Sequence, residues 1–186
     1  MTATEPKSSR WYTKPDMIVA LSAILISLCT VAVSGYEAWL QRHHDRAEVW
    51  PHVELSLVNT PEQSTLSIEN TGIGPAVIES FTVTVDGKVV RNWSGALAAV
   101  LGSAPAVFEN STVVSHALRA GDRVTLVGVR RSDLPPGSMA KFARVGIEVC
   151  YASVFGDSWT LRDRHLGGES EWLGTSRCPT VAGSEF

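Results

Sequence analysis

Three groups of residues in this 186-residue chain have side chains able to do chemistry. The first is His43-His44-Asp45 with His52. Imidazoles bind transition metals and change charge near neutral pH, so this group can be read as a metal site or an acid sensor. Adjacent residues on a helix point about 100° apart, so His43 and His44 do not both face one ion unaided. A polar collar beside a membrane is the simpler expectation. The second group is Asp163-Arg164-His165. A catalytic dyad here needs a nucleophile beside His165, and Ser153, Ser158 and Cys178 are the candidates. The third is Cys150 with Cys178. These form a disulfide if the domain faces an oxidising compartment, or remain two free thiols; their spacing fits no zinc-site pattern. Cys29 lies in an apolar run and behaves there as a small hydrophobe.

The familiar catalytic patterns are missing. The chain has no Gly-x-Ser-x-Gly, no His-Glu-x-x-His and no phosphate-binding loop; residues 70–76 hold glycines but lack the Lys-Ser/Thr that a P-loop requires. Asp157 and Trp159 beside a glycine turn can form a binding lip, although such a Trp more often packs in a core. Arg130, Arg131 and Arg144 can form an anion-binding face, although scattered surface charge is the simpler reading. With 16 basic and 19 acidic residues the net charge is −3, and no basic face points to nucleic acid. The reading is a protein without catalytic residues, cofactor or metal.

The element that positions everything else is Met17 to Tyr36, twenty residues without a charge. At about 1.5 Å per residue it matches the roughly 30 Å hydrocarbon core of a bilayer. Residues 1–12 read as a disordered stub. Trp11 and Tyr12 on one side, and Tyr36 and Trp39 on the other, suit the two headgroup interfaces. The helix is expected over residues 13–50, with Thr13 as its cap, Pro15 in its first turn and Pro51 after its end. Lys7, Arg10 and Lys14 outnumber Arg42 and Arg46, which favours an N-terminus inside and an exported domain. Ala32-Val33-Ser34 resembles a signal cleavage site, but the apolar run exceeds the usual 7–15 residues and Trp39 follows it as an anchor. Small residues recur at Ala20, Ala23, Ser27, Thr30 and Ser34, in steps of three and four. Such a seam lets helices approach closely in lipid, so it points to self-association or to docking on another membrane protein. Ser22, Cys29, Ala32 and Gly35 are also small and lie off the seam.

After Pro51 the apolar period changes from helical to two. Strands are expected at residues 52–58, 65–69, 76–85, 88–91, 113–118, 123–130, 142–154 and 158–161, with a bulge near Ser80. Asp86-Gly87 reads as a tight hairpin. Asn92 to Gly102 reads as a short helix capped by Asn92 or Ser94. Val145, Ile147, Val149 and Tyr151 share one face. The expected architecture is therefore an N-terminal transmembrane α-helix followed by a mainly-β domain over residues 51–162. An immunoglobulin-like antiparallel β-sandwich with one short helix comes first, and a partly open β-barrel second. The tail, residues 163–186, reads as loose unless Trp172 docks or Cys178 is tied down.

The order of a single span, an Arg/His-rich turn closing on Trp50-Pro51, the loop Glu69-Asn70-Thr71-Gly72-Ile73-Gly74-Pro75-Ala76 and the late run Cys150 to Trp159 resembles a group of small uncharacterised bacterial single-pass envelope proteins. The likeness runs from about residue 15 to about residue 162, and the Asn-x-Gly-x-Gly-Pro-Ala element carries it. It implies a bacterial membrane setting and no catalytic residues; with the orientation read from the basic residues, the expected place is the inner membrane with a periplasmic domain. The first functional expectation is a membrane-anchored, non-enzymatic binding or assembly module, oligomeric through its helix. An accessory subunit of a transporter or channel is second, and an enzyme with an unrecognised site third. The expected partners are the lipid bilayer and either a second copy or another membrane protein.

Overall fold

The computed structural model describes residues 15–179 and 186, with the backbone alone at residues 45–48. Trp11, Tyr12 and the cap assigned to Thr13 lie outside the described residues. The chain divides into two compact units, residues 1–45 and residues 46–186.

The first unit contains most of helix α1, Pro15–Glu48. This helix is long and apolar enough to cross a membrane. Nearly all its described side chains are exposed, with Ile18, Leu21, Leu25, Leu28 and Val31 among them. An apolar helix this long, turned to the surroundings on every side, suits lipid and not water. The Thr30 hydroxyl donates to Ile26 O at 2.9 Å and the Ser22 hydroxyl to Val19 O at 2.8 Å. Both hydroxyls are thus satisfied within the helix, as a hydrocarbon environment demands.

The second unit is mostly β, with antiparallel strands in two sheets arranged like a sandwich. The strands are β1 (Val53–Asn59), β2 (Gln63–Asn70), β3 (Ala76–Val85), β4 (Lys88–Val90), β5 (Glu109–Asn110), β6 (Ala117–Leu118), β7 (Arg123–Arg130), β8 (Val145–Ala152), β9 (Ser158–Asp163) and β10 (Ser170–Thr175). One sheet has the order β1-β2-β7-β5; the other has β10-β9-β8-β3-β4, with β6 also pairing with β3. The sheets do not join into a closed barrel. Ile68 and Leu126 from the first sheet meet Ile78, Phe81, Val83, Ile147, Val149, Tyr151 and Leu161 from the second, all buried. Short helix α2 (Trp93–Leu101) adds Trp93, Leu97 and Val100 to this core. Asn92 caps it by accepting from Gly95 N at 2.9 Å, and Gly102 ends it at φ 96°.

Local chemistry explains the turns and the departures from the sequence reading. Asp86 and Gly87 both take positive φ, as a tight two-residue hairpin requires. The register of β3 against β8 shifts between Ile78 and Ser80, which is the bulge near Ser80. The strand expected at 113–118 shrinks to Ala117–Leu118. Ser115 adopts φ 66°, and its N–H bonds Ile78 O while Ile78 N bonds His116 O, so the chain is bent around the bulge. Residues 138–144 form a 3-10 turn, so β8 begins at Val145. The segment after Asp163 is not loose where it is described. Ser170–Thr175 pairs along β9, and the Trp172 indole donates to Val53 O at 2.9 Å. Phe186 is buried against Phe81 and Trp93.

The stem that follows α1 is locked to the β2–β3 loop by one side chain. Asn70 is fully buried. Its amide group donates to Gly74 O at 2.8 Å and Leu118 O at 3.0 Å, while its oxygen accepts from Gly72 N at 3.1 Å and His52 N at 3.2 Å. Thr71 N donates to His52 O at 2.7 Å and Ile73 N to Trp50 O at 3.1 Å. Gly72 and Gly74 admit the stem backbone, since a Cβ on either would collide with the main chain of residues 49–52. Removing the amide orphans two buried carbonyls, Gly74 O and Leu118 O, and two half-buried N–H groups, Gly72 and His52, a buried group costing roughly 1–3 kcal/mol. Asn70→Ala is therefore expected to lose about 3 kcal/mol or more of unfolding free energy in urea titration. A loss below about 1 kcal/mol would show that these groups find other partners.

Candidate functional site

His43 lies on α1 with its ring 4.3 Å from Trp39, which in turn stacks 6.2 Å from Tyr36. The three sit three and four residues apart, so they share a face and form an aromatic collar next to the apolar stretch. The Asp45 side chain is outside the description. In the second unit His52 is held between Trp50, at 5.2 Å, and Trp172, at 4.9 Å. Its Nε2 lies 3.4 Å from Glu54 Oε1, and its Nδ1 is buried without a hydrogen-bond partner. Among the described residues, no three His, Cys, Asp or Glu side chains come close enough to hold a metal ion. The five seam residues, Ala20, Ala23, Ser27, Thr30 and Ser34, are all exposed on α1.

Asp163-Arg164-His165 does not form a dyad. His165 Nδ1 meets Ala143 O at 2.9 Å, and the His165 backbone N–H donates to Asp163 Oδ1 at 3.1 Å. Ser153 Oγ accepts from Phe155 N at 3.2 Å and Asp157 N at 3.3 Å, so this hydroxyl shapes the β8–β9 hairpin. Cys178 is joined to Cys150 in a disulfide. Cys150 occupies an outward position of β8, between inward Val149 and Tyr151, so the bridge ties the chain beyond β10 to the outer face of the sheet and not across the core. At a sequence separation of 28, closing this loop removes denatured-state entropy worth about 3–4 kcal/mol.

A trough of about 590 Å³ lies on the outer face of the β3-β8-β9 sheet. Thr82, Thr84 and Gly146 lie along it. Asp86 with Arg144 and Glu148 with Arg162 flank it as ion pairs, and Arg164 and His165 close one side. The hydrogen bond from Arg144 holds the Asp86 carboxyl below the usual range, and Glu148 raises Arg162 through a hydrogen bond at 2.8 Å. Arg164 approaches Glu171 at 3.9 Å. Because its cations face carboxylates, the trough offers a charge-balanced polar surface. Its hydroxyls and guanidinium groups can hydrogen-bond a polar ligand. Arg130 and Arg131 are not among its lining residues. Asp157 and Trp159 do line a separate shallow groove with Gly174 and Thr175, and Trp159 also stacks 5.9 Å from Tyr151. Burial pushes the Tyr151 hydroxyl up.

The sequence reading missed Asn70 as the buried tie and Ser153 as the hairpin cap. An Asn before a glycine-rich turn and a Ser before a glycine hairpin were the available signals. Comparison with known protein families and with curated proteins finds no match.

Burial raises the pKa of Asp163 from its ordinary 3.8, against hydrogen bonds from His165 N and Gly167 N that lower it. Because the folded value exceeds the unfolded one, this group's stabilisation is complete below pH 3.8 and is lost as pH rises through the folded value. Wild type is therefore expected to gain stability relative to Asp163→Asn as pH falls from 7 towards 4, measured by urea unfolding at each pH. A difference that stays flat over that range would contradict the raised value.

Proposed function

We propose that this chain is a single-pass, membrane-anchored envelope protein whose β-domain acts as a non-enzymatic binding or assembly module. The observation that carries this reading is the contrast between the two units. The β-domain completes its own core, while α1 keeps an apolar surface exposed along its whole apolar length. That is the division of labour of an anchor and a head. The resemblance of residues 15–162 to bacterial single-pass envelope proteins supports a bacterial membrane setting. The Cys150–Cys178 bridge supports an oxidising compartment for the domain, hence a cytoplasmic N-terminus and a periplasmic head. Three basic residues before the span against two after it favour the same orientation.

The head is read as immunoglobulin-like. In that fold strands A-B-E-D form one sheet and C′-C-F-G the other. The orders β1-β2-β7-β5 and β4-β3-β8-β9 follow this pattern, with β10 as an added strand beside the last. Domains of this kind bind through surfaces and loops and do not imply a reaction.

Association through α1 is the expected working mode, because the seam offers small side chains at helix-contact spacing. In the principal reading the seam meets a second copy; in the alternative it meets a helix of a larger transporter or channel, for which this chain is an accessory subunit. Crosslinking in native membranes separates the two. A ladder of self-products supports homo-association, and one heterologous product supports the accessory reading. Ala23→Leu, Ser27→Leu and Thr30→Leu together are expected to abolish the product in either case. An unchanged assembly size in this triple variant would remove the seam from the account.

A further inference from the structure

Strand register sets four polar side chains in one row on the outer face of the second sheet. Thr82 of β3 pairs with Glu148 of β8, Glu148 with Arg162 of β9, and Arg162 with Glu171 of β10. Their neighbours along the strands, Phe81, Val83, Ile147, Val149 and Leu161, are buried, so the row itself faces out. The next row holds Thr84 opposite Gly146. A Cβ on Gly146 would stand 2.8 Å from Thr84 Oγ1, and the glycine leaves the floor bare at that point.

This face is concave. The trough of about 590 Å³ along Thr82 and Glu148 shares Arg162, Arg164 and His165 with a second hollow of about 570 Å³ that reaches Glu169 and Glu171. The two therefore form one continuous trough over β3, β8, β9 and β10. Sites for small molecules usually measure roughly 300–1,000 Å³.

The chemistry of the row decides what fits it. Glu148 Oε2 accepts from Arg162 Nε at 2.8 Å. That bond leaves the second carboxylate oxygen and the terminal amines of Arg162 for other partners. Arg164 comes only to 3.9 Å of Glu171. Acceptors and donors thus alternate, with a carboxylate on each side of Arg162. An anion drawn to Arg162 meets Glu148 and Glu171, and a cation drawn to either carboxylate meets Arg162, so neither sign of charge is favoured. An extended peptide has no ladder to join, because β8 and β9 are each paired on both sides. A hydroxyl, by contrast, donates once and accepts twice. Neighbouring hydroxyls of a sugar ring can donate to a carboxylate and accept from a guanidinium in turn, each bond strengthened by the charge on the protein. We propose that this trough binds a neutral oligosaccharide, whose hydroxyls bridge Glu148, Arg162 and Glu171. The inference names a ligand class for the β-domain and rests on its reading as a binding module.

The test uses the full chain in nanodiscs of phosphatidylethanolamine and phosphatidylglycerol, with empty nanodiscs as the blank. Chitotriose and maltotriose are the probes, read by saturation transfer from protein to ring protons. Saturable transfer to at least one of them is expected, with affinity in the millimolar range. Glu148→Gln and Arg162→Gln are each expected to weaken it about ten-fold or more, the worth of one hydrogen bond to a charged group. Thr82→Gln lengthens a side chain in the trough without touching an ion pair and is expected to weaken binding as well. Unchanged thermal unfolding of each variant establishes that the fold is retained. No saturable transfer to either trisaccharide into the tens of millimolar would overturn the inference, as would transfer that all three variants leave unchanged. Displacement of the trisaccharide by inorganic phosphate would make this an anion site and overturn it too. Crosslinking through α1 is independent of these outcomes, so a failed saccharide test leaves the module reading to be judged on its own.

Discussion

The buried amide of Asn70 is the tie on which the stem end of the β-domain depends. Its four hydrogen bonds reach the stem at His52, its own loop at Gly72 and Gly74, and β6 at Leu118. The Gly74 and Leu118 carbonyls would otherwise be buried without this partner, a cost that apolar packing nearby does not offset. The two glycines belong to the same device, because the stem backbone occupies the space that their side chains would take. The Asn-x-Gly-x-Gly-Pro-Ala element is therefore explained by docking of the chain between anchor and head. No reaction needs to be invoked for it.

Several other polar groups are paired within the β-domain. Asp163 is buried under the amides of residues 165 and 167, Ser153 closes a hairpin, and the arginines of the outer trough face carboxylates. The disulfide bridges an outward position of β8 and leaves the space between the sheets to apolar side chains. Large apolar side chains stay exposed on α1 and, in the β-domain, at Trp50, Val58, Ile73, Val89, Val107 and Val154 among others. Exposed apolar area of this kind is where partners and membranes bind.

Much of this fold was legible because its signals are local. Twenty uncharged residues before Glu37 mark the helix, and alternation at Val145, Ile147, Val149 and Tyr151 marks the inner face of β8. Asp86-Gly87 marks its hairpin. Strand β10 was not legible, because Ser-Glu-Trp-Leu-Gly-Thr has no clear alternation; it is held by pairing with β9 and by the bond from Trp172 to Val53. The strand expected at residues 113–118 failed for a related reason. Val113 and Val114 favour extended backbone, but the bulge in β3 captures Ser115 and His116 and turns the chain. The importance of Asn70 was hidden because two of its partners lie 18 and 48 residues away.

In the proposed arrangement α1 crosses a membrane and the β-domain lies on its oxidising side. The most direct measurement is labelling of a cysteine at position 88, on the exposed β3–β4 hairpin, with a membrane-impermeant maleimide in a Cys29→Ala chain. Spheroplasts with an intact inner membrane are compared with lysed ones. Full labelling before lysis is the outcome expected. Labelling that appears only after lysis would place the domain in the cytoplasm and contradict the account.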